Sequence, residues 1–189
     1  MSSLQETARQ LVAHGTGILA ADESEGTIAK RFAMIGLPVT LETRRDYREM
    51  LFRSKEAMTN YISGVILTEE TLKQDAADGT PFVALLADVN AIPGIKVDRG
   101  AFEMPGTKGE KITEGLDGLR QRLKHYAEIG ARFAKWRGVI AISGYAPSRN
   151  GIRANAHVLA RYAALCQEAG IVPVVEPEVL ADGEPGDHG

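Results

Sequence analysis

Ionisable side chains gather where five short apolar runs of this sequence end. Residues 17–21 lead into Asp22 and Glu23, and residues 63–67 into Thr68, Glu69 and Glu70. Residues 93–97 contain Lys96 and precede Asp98, while residues 171–175 lead into Glu176 and Glu178. The run 133–142 carries Lys135 and Arg137 two positions apart in RFAKWRGVIAIS, a stretch otherwise rich in Ala, Trp, Val and Ile. Strand side chains alternate between faces, so Phe133, Lys135 and Arg137 share one face and Ala134, Trp136 and Gly138 the other. A buried unpaired ion costs on the order of several kcal/mol, so these cations must meet carboxylates or an ionic ligand. Asp22, Asp98 and Glu176 are the carboxylates at hand. A lysine crowded by cations has a lowered pKa and serves as an acid–base group or amine nucleophile. A carboxylate that titrates against it passes protons, and a surplus of cations suits a phosphorylated substrate. A structural ion-pair network is the alternative. Five runs finishing alike favour a ligand site.

The elements that must position these groups alternate. Each apolar run is short, rich in branched residues and bounded by Gly or Pro, as buried strands are. Residues 112–130 place Leu116, Leu119, Leu123 and Tyr126 at helical steps and stop at Gly130. Residues 152–170 do the same with Ala156, Leu159 and Cys166 and stop at Gly170. Glycine just past the last periodic residue is a helix stop. Residues 40–60 and 24–34 read as further helices, the first with Arg and Glu on its wet face, and 71–77 as a short turn. Alternating strands and helices imply a parallel sheet with right-handed crossovers, either a doubly wound open sheet or a (β/α)8 barrel. In both, ligands bind at the C-terminal ends of the strands, where the charges lie.

The composition is that of one globular unit: 189 residues, 44% hydrophobic and 25% charged. With a net charge of −3 and no basic run of five, nucleic acid is not the expected partner, although a local cationic pocket is compatible. The lone Cys166 fits a reducing, cytoplasmic setting, and its place on the apolar side of a helix suits packing. The N-terminus lacks the charged and apolar regions of a signal peptide. No apolar stretch reaches membrane-spanning length, so no membrane span is expected. His14, His125, His157 and His188 are dispersed, without metal-ligand spacing. GTKGEK (106–111) lacks the strand-to-helix frame of a phosphate loop and reads as a surface turn. Residues 1–182 are expected to form the domain, and 183–189 a flexible acidic Gly/Pro tail.

GILAADESEGTIAKRF (17–32), GIKVDRG (94–100), EGLDGL (114–119), FAKWRGVI (133–140) and NAHVLARYAALCQEAGIVPVVEPEVL (155–180) occur in this order. From about residue 10 to 182 the chain resembles the N-terminal part of class I fructose-bisphosphate aldolases. The resemblance implies a TIM (β/α)8 barrel, here incomplete with about five parallel strands, and in the full-length family a homotetramer of glycolysis and gluconeogenesis. It implies reversible cleavage of fructose 1,6-bisphosphate to dihydroxyacetone phosphate and glyceraldehyde 3-phosphate through a lysine imine, with no metal or other cofactor. By resemblance, Asp22 helps deprotonate the C4 hydroxyl, Lys135 assists proton transfers around the carbinolamine, and Glu176 is the acid–base of imine formation. Lys96 and Arg137 supply positive charge to the phosphorylated sugar, supported by Glu178. Lys30, Arg31 and Arg44 fall where phosphate-side contacts are expected, and Arg44 reads equally well as a solvated helix position.

The departures are as informative. The family's imine-forming lysine lies on strand six, beyond these five runs. Glu69 stands where the family usually has His, and 84–91 and 145–152 diverge. A five-stranded part of a closed barrel leaves two open sheet edges. The chain is therefore expected to be a fragment that is inactive alone, or to dimerise, aggregate or need a complement. The functional alternatives are a non-catalytic sugar-phosphate-binding or structural fragment, and an enzyme whose imine forms on Lys96 or Lys135.

Overall fold

The five apolar runs do become parallel strands, and the residues between them cover one face of the sheet. The computed structural model describes residues 3–180. In chain order the elements are α1 Leu4–Leu11, β1 Gly17–Ala20, α2 Glu25–Ala33, α3 Leu41–Phe52, α4 Lys55–Tyr61, β2 Ile62–Leu67, α5 Glu69–Leu72, α6 Phe82–Asp88, β3 Ile92–Lys96, β4 Ala101–Glu103, β5 Lys111–Thr113, α7 Leu119–Ile129, β6 Phe133–Ile140, α8 Arg149–Glu168 and β7 Val172–Val179. The main sheet runs β1-β2-β3-β6-β7, all parallel, and curls into half of a barrel. The proposed tail lies outside the described residues.

Alternation sorts the side chains. Leu67, Ile95, Ala134 and Trp136 point outward into the main core, where Trp136 meets Tyr162 of α8 at a ring distance of 5.4 Å. Ile66 and Phe133 point inward and pack with Leu11 of α1, against Ile18, Ile92, Val172 and Val174. This inner cluster is the floor of the half-barrel. Glycines make room for it: a Cβ on Gly94 would lie 2.3 Å from the Phe133 ring, and one on Gly64 would lie 2.6 Å from Leu11. Ser63 ties the end of α1 to the sheet by donating its hydroxyl to Leu11 O at 2.7 Å and Gly17 O at 3.1 Å.

Several boundaries differ from the sequence reading. The stretch 112–130 is not one helix. It opens as β5, which pairs antiparallel with β4, and turns helical only at Leu119. Gly115 and Gly118 have φ of 128° and 66°, which interrupts helical geometry between strand and helix. The stretch 40–60 is two helices, broken at Arg53 and Ser54. The segments holding α1 and α6 are helical, which the sequence reading did not assign. β7 extends to Val179, so Glu176 and Glu178 lie within a strand rather than after one.

Strands β1 and β7 are the two sheet edges. On β7, Val172 and Leu180 donate their N–H groups to Arg132 O and Ile140 O, both at 2.9 Å, so even-numbered backbone groups face β6. The odd-numbered groups face outward. Two of those outward positions are Pro173 and Pro177, which have no N–H.

Candidate active site

The charges do converge above the floor. Lys96 and Lys135 are register partners on β3 and β6, and Arg137 is level with Glu176 on β7. Lys135 Nζ lies 3.2 Å from Asp22 Oδ2 and 3.2 Å from Glu176 Oε2, linking β6 to β7 and to the residues just past β1. Asp22 is buried, whereas the Glu176 side chain is 34% exposed, so Glu176 is the member of this trio open to solvent. Lys96 Nζ is bound to Asp98 Oδ1 and donates to Asp98 O at 3.2 Å. The Asp98 carboxylate also accepts from Gly100 N at 3.1 Å and Arg137 N at 3.4 Å. Arg137 Nε pairs with Glu178. The two cations on one strand face are thereby matched, Lys135 by Asp22 and Glu176 and Arg137 by Glu178.

Two chemical expectations change. Burial pushes the Lys135 ammonium toward a lower pKa, but the charges and hydrogen bonds of Asp22 and Glu176 outweigh it and hold the pKa above the ordinary value. Lys135 is therefore a protonated bridge between two carboxylates, not an amine primed for attack. The expected lowering failed because the charges nearest Lys135 are carboxylates, and the neighbouring cations are paired elsewhere. Nor is there a surplus of cations here: Lys96, Lys135 and Arg137 meet four carboxylates, Asp22, Asp98, Glu176 and Glu178.

Beside Asp22, Glu23 collects a second network. Its carboxylate takes Arg31 of α2 and accepts from Tyr47 OH of α3 at 3.1 Å, and Arg48 Nη2 lies 2.9 Å from its Oε2. That last contact is ionic rather than a well-aligned hydrogen bond. Arg44 holds Glu70 with Nε at 2.8 Å and Nη2 at 2.7 Å, and its Nη1 is 3.4 Å from Glu25. A cavity of about 280 Å³ lies here, lined in part by Glu23, Arg44, Arg48, Thr68 and Glu70. Lys30 is exposed on α2. Glu69 is exposed on α5 and pairs with Lys73 at 2.6 Å, away from the Lys135 trio. Among the described residues, no three His, Cys, Asp or Glu side chains are grouped to hold a metal ion.

The family model described as "Glycolytic: Fructose-bisphosphate aldolase class-I" matches residues 3–188. The chain belongs to the class I fructose-bisphosphate aldolase family. It is 56% identical over 184 residues to the probable fructose-bisphosphate aldolase class 1 of Xanthomonas campestris, covering 97% of this chain and 55% of that protein. It is 54% identical over 181 residues to fructose-bisphosphate aldolase C of Carassius auratus, covering 96% and 50%. The fold matches the fructose-bisphosphate aldolase of Plasmodium falciparum, solved in complex with TRAP and a small molecule inhibitor. That match has a TM-score of 0.92 at 52% identity, over 95% of this chain and 52% of that one. The chain spans about half the length of the curated relatives it matches.

In this aldolase-family half-barrel, Asp22, Lys135 and Glu176 meet directly, and Lys96 and Arg137 sit beside them, each on its own partner. Arg31 and Arg44 are engaged by Glu23, Glu25 and Glu70 on the β1–β2 side. Sequence reasoning missed Arg48, which was assigned to a wet helix face and is 3% exposed. Its one visible signal is its place a helical turn beyond Arg44, on the side that faces Glu23. Glu110 was also missed: it is buried and its Oε1 accepts from Ser148 N at 2.8 Å, tying the hairpin loop to the start of α8. Cys166 is buried and free, and burial pushes its thiol up to about 12, in keeping with a packing role.

Proposed function

We propose that this chain carries the proton-transfer face of a class I aldolase site. The reaction is the reversible cleavage of fructose 1,6-bisphosphate to dihydroxyacetone phosphate and glyceraldehyde 3-phosphate through a lysine imine, in glycolysis and gluconeogenesis. The observation that carries this reading is Lys135 Nζ at 3.2 Å from both Asp22 and Glu176. In the cleavage direction, the C4 hydroxyl proton passes to Asp22, the C3–C4 bond breaks, and its electron pair enters the imine to give an enamine. Glu176, open to solvent, exchanges the protons that carbinolamine formation and dehydration require. Lys135 stays protonated and holds the two carboxylates in one hydrogen-bonded relay. Lys96 and Arg137, with Glu178, flank the sugar, and Lys30, Arg31 and Arg44 lie on the phosphate side. Lys135 is engaged by Asp22 and Glu176 and Lys96 by Asp98, so the reading assigns the imine amine to a strand outside this five-stranded sheet. Further cations must arrive with it, because those seen here already face an excess of carboxylates. The reading includes no metal or cofactor, a cytoplasmic setting, and homo-oligomerisation, as a tetramer in the full-length family. Among the described residues no helix is long and apolar enough to cross a membrane.

The test is a chimera in which this chain replaces the matched stretch of the Xanthomonas campestris relative. It should cleave fructose 1,6-bisphosphate. The 189-residue chain alone should give no adduct when borohydride is added with dihydroxyacetone phosphate. A trapped adduct on Lys96 or Lys135 would overturn this division of labour. A folded chimera that binds phosphate esters without cleaving them would establish the non-catalytic alternative.

A further inference from the structure

We propose that Arg48, acting through Glu23, is a positioning residue for Asp22. The inference rests on the proposed role of Asp22 as proton acceptor. Sheet support for that residue ends early. Ala21 N donates to Ile66 O at 3.0 Å, and two residues after Asp22 the hydroxyl of Ser24 caps α2. Asp22 and Glu23 fall between, at the end of a four-residue strand with a neighbour on one side only. A carboxylate that meets Lys135 at 3.2 Å therefore sits one residue past the Ala21–Ile66 hydrogen bond to the sheet.

Glu23 is what the helices hold instead. Arg31 approaches it from α2, and Tyr47 and Arg48 from α3. Arg48 makes the contact that reaches the main chain: Nη2 lies 2.9 Å from Glu23 Oε2 and donates to Glu23 O at 3.4 Å. The Arg48 side chain is 4% exposed, and its Nε and Nη1 are buried without a hydrogen-bond partner. For packing alone, an apolar side chain of similar volume would serve this place better than a buried guanidinium with one engaged nitrogen. An apolar residue cannot grip both the carboxylate and the carbonyl of the residue that follows Asp22. Burial lowers the Arg48 pKa, and attraction to Glu23, Tyr47 and Asp22 opposes that, which ties its charge to the same cluster.

The Lys135 ammonium reports the position of Asp22 without any substrate. Its titration midpoint is to be followed by NMR in the 189-residue chain labelled at lysine, with the signal assigned by Lys135→Arg. Arg48→Met should lower the midpoint by about one pH unit as Asp22 moves away. Arg48→Lys should restore most of that shift, and Glu23→Gln should move it in the same direction as Arg48→Met. Leu123→Ala, buried on α7, should lower the urea midpoint and leave the Lys135 titration in place. An unchanged midpoint in Arg48→Met, an equal shift in Leu123→Ala, or no rescue by Arg48→Lys would each overturn the proposal. If Arg48→Met does not fold, Glu23→Gln decides, and an unchanged midpoint there overturns it. An inactive chimera sinks the functional reading, and the Lys135 titration still decides whether Arg48 positions Asp22. An active chimera with an unmoved Lys135 sinks this one alone.

Discussion

The floor and the mouth of the half-barrel are built from the same strands by opposite means. At the floor, Phe133, Ile66 and Leu11 interlock, and Gly64 and Gly94 give up side chains so that one aromatic ring fits. Two residues further along β6, the inward position becomes Lys135, held by Asp22 and Glu176. Packing is short-ranged, tolerates no added volume and ignores pH. Ion pairs tolerate volume but depend on protonation, partner placement and salt. The fold thus confines its exactions of shape to one end and keeps the other adjustable, where substrate must enter and protons must move.

Substitutions can break or sharpen this contrast. Phe133→Ala should have the largest effect, about 4 kcal/mol of unfolding free energy in urea titrations, equal at acid and alkaline pH. Gly94→Ala should cost about 2 kcal/mol by overpacking, and Phe133→Leu in the same chain should recover part of it by shrinking the ring that the new methyl meets. Lys135→Met should cost about 2 kcal/mol, less than a fully buried pair would lose because water reaches Glu176. Its penalty depends on pH. The Lys135 pKa is raised in the fold, so its contribution is full below the unfolded value of about 10.4 and disappears as pH climbs through the higher folded value. Glu178→Gln should be smallest, about 0.5 kcal/mol, since Arg137 and Glu178 are 41% and 40% exposed and screened. Its hydrogen bond with Arg137 lowers the Glu178 pKa. That contribution is therefore present above the unfolded value of about 4.3 and is lost as pH falls through the folded one. A Phe133→Ala deficit that varied with pH as steeply as that of Lys135→Met would show that the two ends are not separately built.

The alternation of strands and helices, and the gathering of charge at one end, were legible because both depend on local pattern: branched runs bounded by Gly or Pro, and ionisable residues just after them. The β4–β5 hairpin was not legible. Its strands are three residues each, and Leu116 sits at a helical step from Leu119 although it packs from a loop. Partner choice was hidden too. Spacing placed Lys135 and Arg137 on one strand face and Lys96 in a neighbouring run, but could not show that Lys96 turns to Asp98 while Lys135 crosses to β7 and to the end of β1. Arg48 was hidden because charge on a helix ordinarily marks the wet side. Here a tertiary ion partner overrides that rule.

The prolines on the outward side of β7 bear on how this chain behaves in company. Its rim presents carbonyls at 173, 175, 177 and 179 but amide hydrogens only at Val175 and Val179. A second copy sliding alongside would meet a zipper with every other tooth filed away, which discourages the unlimited stacking that bare strands invite.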